Sequence, residues 1–235
     1  MAGWWSRSLG RLWFWGLRLA GWILPRRRAL RTARGTLPGQ PFLAGVNLPW
    51  LSYGNDFGRS PWRPGGGVAG GADRVRLAEV LAGLAARGGG CVRWFLFADG
   101  RAGIRTDDAG CPLGLDDRVF PDLDLAVETA GRHGLKLLLV VFDFHLGLEA
   151  RRHREVTMGG RHRWIADPAW RTALLDRVLD PLWKRYGKDP VIFGWDLMNE
   201  PEWITSGLGG RDPLTAVPPW TMRRFLAGMA GRARR

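Results

Sequence analysis

Apolar residues along the chain gather in four short runs separated by stretches of helical spacing. The runs are Phe42 to Leu48 (FLAGVNL), Cys91 to Phe97 (CVRWFLF), Leu135 to Phe144 (LKLLLVVFDF) and Val191 to Met198 (VIFGWDLM). Each is apolar at odd and even positions alike and too short for an ordinary helix, which predicts strands buried on both faces. Between them lie the helical patterns. Asp73 is placed to cap a helix to about Arg87, with Val75, Leu77, Val80, Leu81 and Leu84 as its apolar positions and Gly88 to Gly90 as its stop. Asp122 to His133 reads as a second helix, halted by Gly134, and residues 168 to 186 as a third, with Pro168 near its start. Residues 219 to 231 complete a fourth. The segment from Pro49 to Gly71 is rich in Gly and Pro and reads as a loop, as does the stretch after Phe97.

Strand then helix, four times over, argues for parallel strands covered by helices. A doubly wound sheet and a (β/α)8 barrel both satisfy that order, and the polar residues separate them. They fall at the carboxyl ends of the strands: Asn47, Asp99, Asp143 with His145, then Asn199 and Glu200. A dinucleotide-binding sheet would carry a glycine-rich phosphate loop after its first strand, and none is present. Barrel enzymes place their chemistry at the carboxyl face. The expected fold is therefore α/β, a (β/α)8 TIM barrel of which the chain holds about the first four βα units.

Composition changes this picture only at the amino terminus. At 46% hydrophobic and 24% charged the 235-residue chain is ordinary for a globular protein. The net charge of +13 is uneven: residues 1 to 35 carry eight Arg and no acid, leaving 27 bases against 22 acids over the rest. Arg7, Arg11 and Arg18 share one helical face, with five Trp among the first 24 residues. Residues 1–41 form a basic, Trp-rich segment and linker, and 42–235 the partial barrel domain. The segment reads as a membrane-surface contact through residues 4–28, as a cleaved signal, or as a tail without function. The first reading favours the cell envelope or a membrane-associated location, with secretion second. Basic residues that flank the fold without a recognition motif argue against nucleic acid as a partner.

The strongest chemical signal is Trp195-Asp196-Leu197-Met198-Asn199-Glu200-Pro201. An apolar strand ending in an amide and a carboxylate, stopped at once by Pro, fixes two polar side chains at the mouth of the sheet. By strict alternation Asp196, Met198 and Glu200 share one face and Asn199 the other, until the strand end twists. A carboxylate flanked there by aromatics would be partly desolvated and its pKa would rise toward the range of a general acid. Taken alone, Asn199-Glu200 reads equally well as a cap of the following loop.

With Arg93 on the second strand (VRWF), His145 closing the third (VFDFH) and GVNL in the first, the run GWDLMNEP resembles the amino-terminal half of a clan A glycoside hydrolase, nearest the cellulase family, glycoside hydrolase family 5. The resemblance spans about residues 42 to 203. It implies a (β/α)8 barrel that hydrolyses β-linked polysaccharide with retention; separately, no Cys or His cluster has metal-ligand spacing, and neither a metal nor a cofactor is expected. It further implies Glu200 as general acid and base, Asn199 as a hydrogen-bond partner of the sugar 2-hydroxyl, Arg93 beneath the nucleophilic carboxylate and His145 on sugar hydroxyls beside the cleavage point. Asn47, Trp50, Trp94, Asp99 and Trp203 are the substrate-binding candidates, with Trp164 a further ring near the same loops. Arg93 paired with Asp196 or Asp143, His145 as a core histidine, and core packing for any one of Trp50, Trp94, Trp164 and Trp203 are the structural alternatives.

A retaining glycosidase needs a second carboxylate about 5 Å from the first, and in the family it closes strand seven, which this chain does not reach. Asp99, Asp143 and Glu202 lie near the right face without the family's motif. The expectation is thus a chain holding the acid/base half of a site and inactive alone, the alternative being a non-catalytic carbohydrate-binding or membrane-associated half-barrel. Open edges on the first and fourth strands would favour self-association. Cys91 and Cys111 sit at opposite ends of a strand, roughly 20 Å apart, and should be free thiols. His153 and His162 lie among Arg residues in what reads as a solvated loop.

Overall fold

The computed structural model describes residues 43–235; the readings of segment 1–41, and of Phe42 in the first strand, fall outside the described residues. Four strands form one parallel sheet in chain order: β1 (Gly45–Asn47), β2 (Cys91–Phe95), β3 (Lys136–Asp143) and β4 (Ile192–Asn199). Asn47 lies beside Arg93, Phe95 beside Val140, and Asp143 beside Asn199, so every strand delivers its polar end to the same edge. Among the described residues, besides a short helix His162–Ala166 after β3, five helices follow the strands: α1 (Gly71–Ala86), α2 (Val119–Arg132), α3 (Pro168–Leu174), α4 (Asp180–Tyr186) and α5 (Pro219–Ala233). Val92, Trp94, Leu137, Leu139 and Val141 are fully buried in one core with Leu77 and Leu81 of α1, Leu123 and Ala126 of α2, Leu182 of α4 and Phe225 of α5.

β1 is shorter than its apolar run and is not buried on both faces: Gly45 and Asn47 are exposed and Val46 half-buried. Among the described residues β1 and β4 are the outer strands of the sheet, and Phe193 on β4 is 62% exposed. Asp73 is not the cap of α1. The helix begins at Gly71, and Asp73 sits in its first turn, paired with Arg63, where a negative charge suits the helix dipole. Val75 is exposed, whereas Leu77 and Leu81 are fully buried in the core and Val80 and Leu84 pack against it partly buried. Gly88, at φ +81°, ends the helix in a conformation a side chain would resist.

The expected helix over 168–186 is two helices joined by a π turn, Leu175–Leu179. Pro181 has no N–H to give and its ring would strike the carbonyl four residues earlier, and the wider π turn makes room for it. Asp167 caps the start, accepting the N–H groups of Ala169 (2.9 Å) and Trp170 (3.2 Å). The long loops hold two small hairpins, Ile104–Thr106 with Pro112–Leu115 and Arg151–His153 with Val156–Met158. Three-residue strands carry too few alternations to be read from sequence. His162 does not lie in a loop but opens a short helix, His162–Ala166. Cys91 and Cys111 are both free. No described helix is long and apolar enough to cross a membrane.

Candidate active site

The parallel register assembles a polar network at the carboxyl ends of the strands. Arg93 lies at its centre. Its Nη2 donates to Asp196 Oδ2 at 2.6 Å and to Asn199 Oδ1 at 2.9 Å, its Nε to Asp196 at 3.1 Å, and its Nη1 to Asn47 Oδ1 at 3.2 Å. Arg93 is a pure donor, so it selects the oxygen of the Asn199 amide and turns the nitrogen the other way. That Nδ2 donates to Asp143 Oδ2 at 2.8 Å and lies 3.5 Å from Glu200 Oε2. The other oxygen of Asp143 accepts the His145 backbone N–H at 2.9 Å and is in close contact with His145 Nδ1. The Asp143 carboxylate, itself almost wholly buried, raises the pKa of His145 by this hydrogen bond, against the opposing effect of partial burial.

Strict alternation fails where the strand end twists. Asp196 and Asn199 both reach Arg93, while Met198 turns into the core. Glu200 follows at φ +50°, ψ +47°, a left-handed conformation that costs a non-glycine residue roughly 1 kcal/mol. Pro201 then opens a short 3-10 turn, Pro201–Ile204, and its ring disfavours the ordinary helical conformation at Glu200. The strain swings the carboxylate off the end of β4. Contrary to the expected desolvation by aromatics, Glu200 is exposed.

The binding candidates divide. Asn47 is exposed and joined to Arg93. Trp50 is half-buried, its ring 5.2 Å from Phe95 and 4.3 Å from Tyr53. Trp203 is 51% exposed beside Phe144, 6.3 Å between ring centres. Trp94 does not face the site: it alternates with Arg93, points into the helix layer, is fully buried, and donates its indole N–H to Asp56 Oδ2 at 2.8 Å. Trp164 is likewise buried, bonded to the Gly110 carbonyl at 2.8 Å. Neither offers a ring to a ligand. Asp99 is also enclosed, its carboxylate occupied by Arg101, with Nε to Oδ1 at 2.9 Å, so it is not free to meet a ligand. From sequence Asp143 stands only as a strand-end carboxylate without the family's motif and, like Asp196, as a partner for Arg93, and neither Tyr53 nor Arg101 is marked. The legible signal was Asp-x-His at 143–145, a spacing that folds back on its own carboxylate. Among the described residues no group of His, Cys, Asp and Glu is disposed to hold a metal ion.

No family model matches the chain. It is 26% identical over 161 residues to a mannan endo-1,4-beta-mannosidase of Mytilus edulis, covering 68% of this chain and 40% of that protein. The solved beta-mannanase of that mussel superposes with a TM-score of 0.66 at 21% identity, over 82% of this chain and 55% of the other. An endo-1,4-beta-mannanase from Eisenia fetida gives 0.68 at 22% identity, over 84% and 55%. A GH5_18 protein from Streptomyces cattleya gives 0.51 at 19%, over 68% and 36%. The chain spans less than half the length of the curated relatives it matches. The fold is that of their (β/α)8 barrel, over about its first four βα units.

Proposed function

We propose, for a chain that is clan A glycoside hydrolase-like over part of its relatives' length, that it carries the acid/base half of a β-mannan-cleaving site of the family 5 kind. The observation that supports this best is the Arg93–Asn199–Glu200 constellation: one arginine orients an amide whose neighbour is a strained, exposed carboxylate at a strand end. In this reading Glu200 protonates the glycosidic oxygen and later draws a proton from water. Asn199, locked by Arg93 on one side and Asp143 on the other, presents one fixed face to a sugar 2-hydroxyl without reorganising. His145, held through Nδ1, keeps Nε2 free for a neighbouring hydroxyl. Trp203 supplies a ring beside the cleavage point. The nucleophile of the retaining mechanism would come from beyond the fourth strand.

Two arms test the proposal on the 235-residue chain. Affinity electrophoresis through β-mannan should retard the chain and leave Asn199→Ala unretarded, and wild-type mobility unaffected by any β-mannan would refute the substrate class. Reducing-sugar release from β-mannan should stay at background. Hydrolysis that disappears in Glu200→Gln would show that the chain contains its own nucleophile.

A further inference from the structure

The second hairpin, Arg151–His153 with Val156–Met158, rises from the carboxyl edge beside His145. Gly159 and Gly160, which follow it, donate their N–H groups to the carbonyls of Asp99 (3.1 Å) and Leu148 (2.7 Å), and a β-carbon on Gly159 would stand 2.8 Å from the His145 carbonyl oxygen. Val156, 1% exposed, plants the second strand in the protein. The first strand and the turn have the opposite character, since Arg151, Arg152, His153 and Arg154 are all exposed. Among the described residues none of these three arginines pairs with a carboxylate, although Glu149 and Glu155 lie in the same segment, whereas Arg59, Arg93, Arg101, Arg185 and Arg232 each do. Arg152 Nε donates to the Arg154 carbonyl at 3.0 Å, which steadies the side chain and leaves both Nη groups for an outside acceptor. Arg154 is the first of the two turn residues and sits at φ +52°, where glycine is the easier choice. The chain thus keeps a cation at a strained position, next to cations that repel it.

We propose that Arg151, Arg152 and Arg154 determine specificity by binding carboxylate groups on an acidic substrate, a β-mannan that carries uronate residues. The inference rests on reading the Glu200 cluster as a glycan site and adds a charge preference to it. The foot of the hairpin packs on the backbone of His145, so the arginines stand where a polymer leaving that site would pass. A guanidinium fork matches a carboxylate with two parallel hydrogen bonds, and three forks on one short hairpin suit charges repeated along a polymer better than a single anion. Cations left unpaired in solvent also draw a polyanion toward the site, an effect that salt screens. A lipid surface would instead be met by apolar side chains set among the cations, and the hairpin exposes none: Val156 is buried and Met158 half-buried.

The test is calorimetric titration at low and high salt with three polymers: β-mannan, the same β-mannan partly oxidised at C6 to uronate, and polygalacturonate, whose chain is α-linked. Circular dichroism confirms folding of each variant. Oxidised mannan should bind about tenfold more tightly than neutral mannan at low salt, and high salt should erase the difference. Arg151→Gln/Arg152→Gln/Arg154→Gln should remove the preference and leave the affinity for neutral mannan unchanged. Arg76→Gln/Arg223→Gln/Arg224→Gln, which takes the same charge from exposed positions on α1 and α5, should keep it. Neutral mannan bound through Asn199 with no gain on oxidation would overturn the hairpin assignment and leave the Glu200 reading standing. Polygalacturonate bound as tightly as oxidised mannan, or a preference lost in the α1 and α5 variant, would reduce the effect to general charge attraction and overturn the assignment too. Binding of oxidised mannan that needs the three arginines but not Asn199 would support the hairpin and overturn the Glu200 cluster as the site of the main chain. A folded wild-type chain that binds neither mannan would overturn the proposal.

Discussion

Two carboxylate networks lie a few residues apart in the fold and end differently. Around the 49–71 loop, Asp122, fully buried on α2, accepts the N–H groups of Gly58 (2.9 Å), Gly67 (2.9 Å) and Ala69 (2.8 Å). Asp56 beside it accepts those of Leu51 and Ser52, both at 2.7 Å, and the Trp94 indole. Burial raises the Asp56 pKa, and these hydrogen bonds oppose the shift. Gly67 has no freedom to change, since a β-carbon would stand 1.8 Å from the Asp56 carbonyl oxygen. Every acceptor in this network is used by the chain itself, which makes it a clasp for a loop with little core of its own. The network around Arg93 begins the same way, with buried Asp143, and runs out through Asn199 to Glu200, whose carboxylate is exposed. The difference is that a closed network stabilises, whereas an open one leaves a group for something outside the chain.

If that contrast holds, mutation should separate the two. The largest loss of stability is expected at Asp122→Ala, which strands the buried N–H groups of Gly58 and Gly67 at roughly 1–3 kcal/mol each and the half-buried one of Ala69 at less. A fall of more than about 3 kcal/mol in urea unfolding is predicted, and a loss under about 1 kcal/mol would show that the loop is clasped by other contacts. Arg93→Met should cost less, about 1–2 kcal/mol, because the Arg93–Asp196 pair is about a quarter exposed and water partly replaces the lost partner. At Glu200 the sign should reverse. Glu200→Gly relieves the left-handed strain and is expected to raise stability by about 0.5–1 kcal/mol while removing the acid/base group. Destabilisation by Glu200→Gly would mean that the carboxylate is held by the fold.

The smallest effect is a pH dependence. The folded-state pKa of His145 is raised above 6.5 by Asp143, so its contribution to stability is full below pH 6.5 and lost as the pH climbs through the raised value. The gap in thermal midpoint between wild type and His145→Gln should therefore be widest below pH 6.5 and narrow above it. Asp143→Asn should lower the His145 titration midpoint followed by NMR, and an unmoved midpoint would remove Asp143 as the cause. The Asp122 network contains no histidine and should show no such window.

Much of the fold was legible because its signal is local. A parallel strand covered by helices is apolar throughout, so LKLLLVVFDF and VIFGWDLM announce themselves, and Gly88 and Gly134 mark helix ends wherever the chain packs. The carboxyl-edge placement of Asn47, Asp143, His145, Asn199 and Glu200 followed from the strand ends alone, whereas Arg93, inside its strand, was marked only by the family resemblance. The first strand was overread because burial belongs to neighbours, and β1 has one on a single side. The third helix was overread because a period count does not see the Pro181 ring.

What the amino-acid sequence by itself determined is the order of strands and helices and the chemistry at their ends, since both depend on residue type and short-range spacing. Tertiary structure decided which rings are buried and which face water. Trp94 and Trp164 are indistinguishable in composition from Trp62 and Trp203, yet the first two are sealed in the core and the others face water. It also decided that Asp122 would clasp backbone 53 to 64 residues away and that Asp196 and Asn199 would meet on one arginine. Contacts across such separations are made by packing, which no local pattern contains.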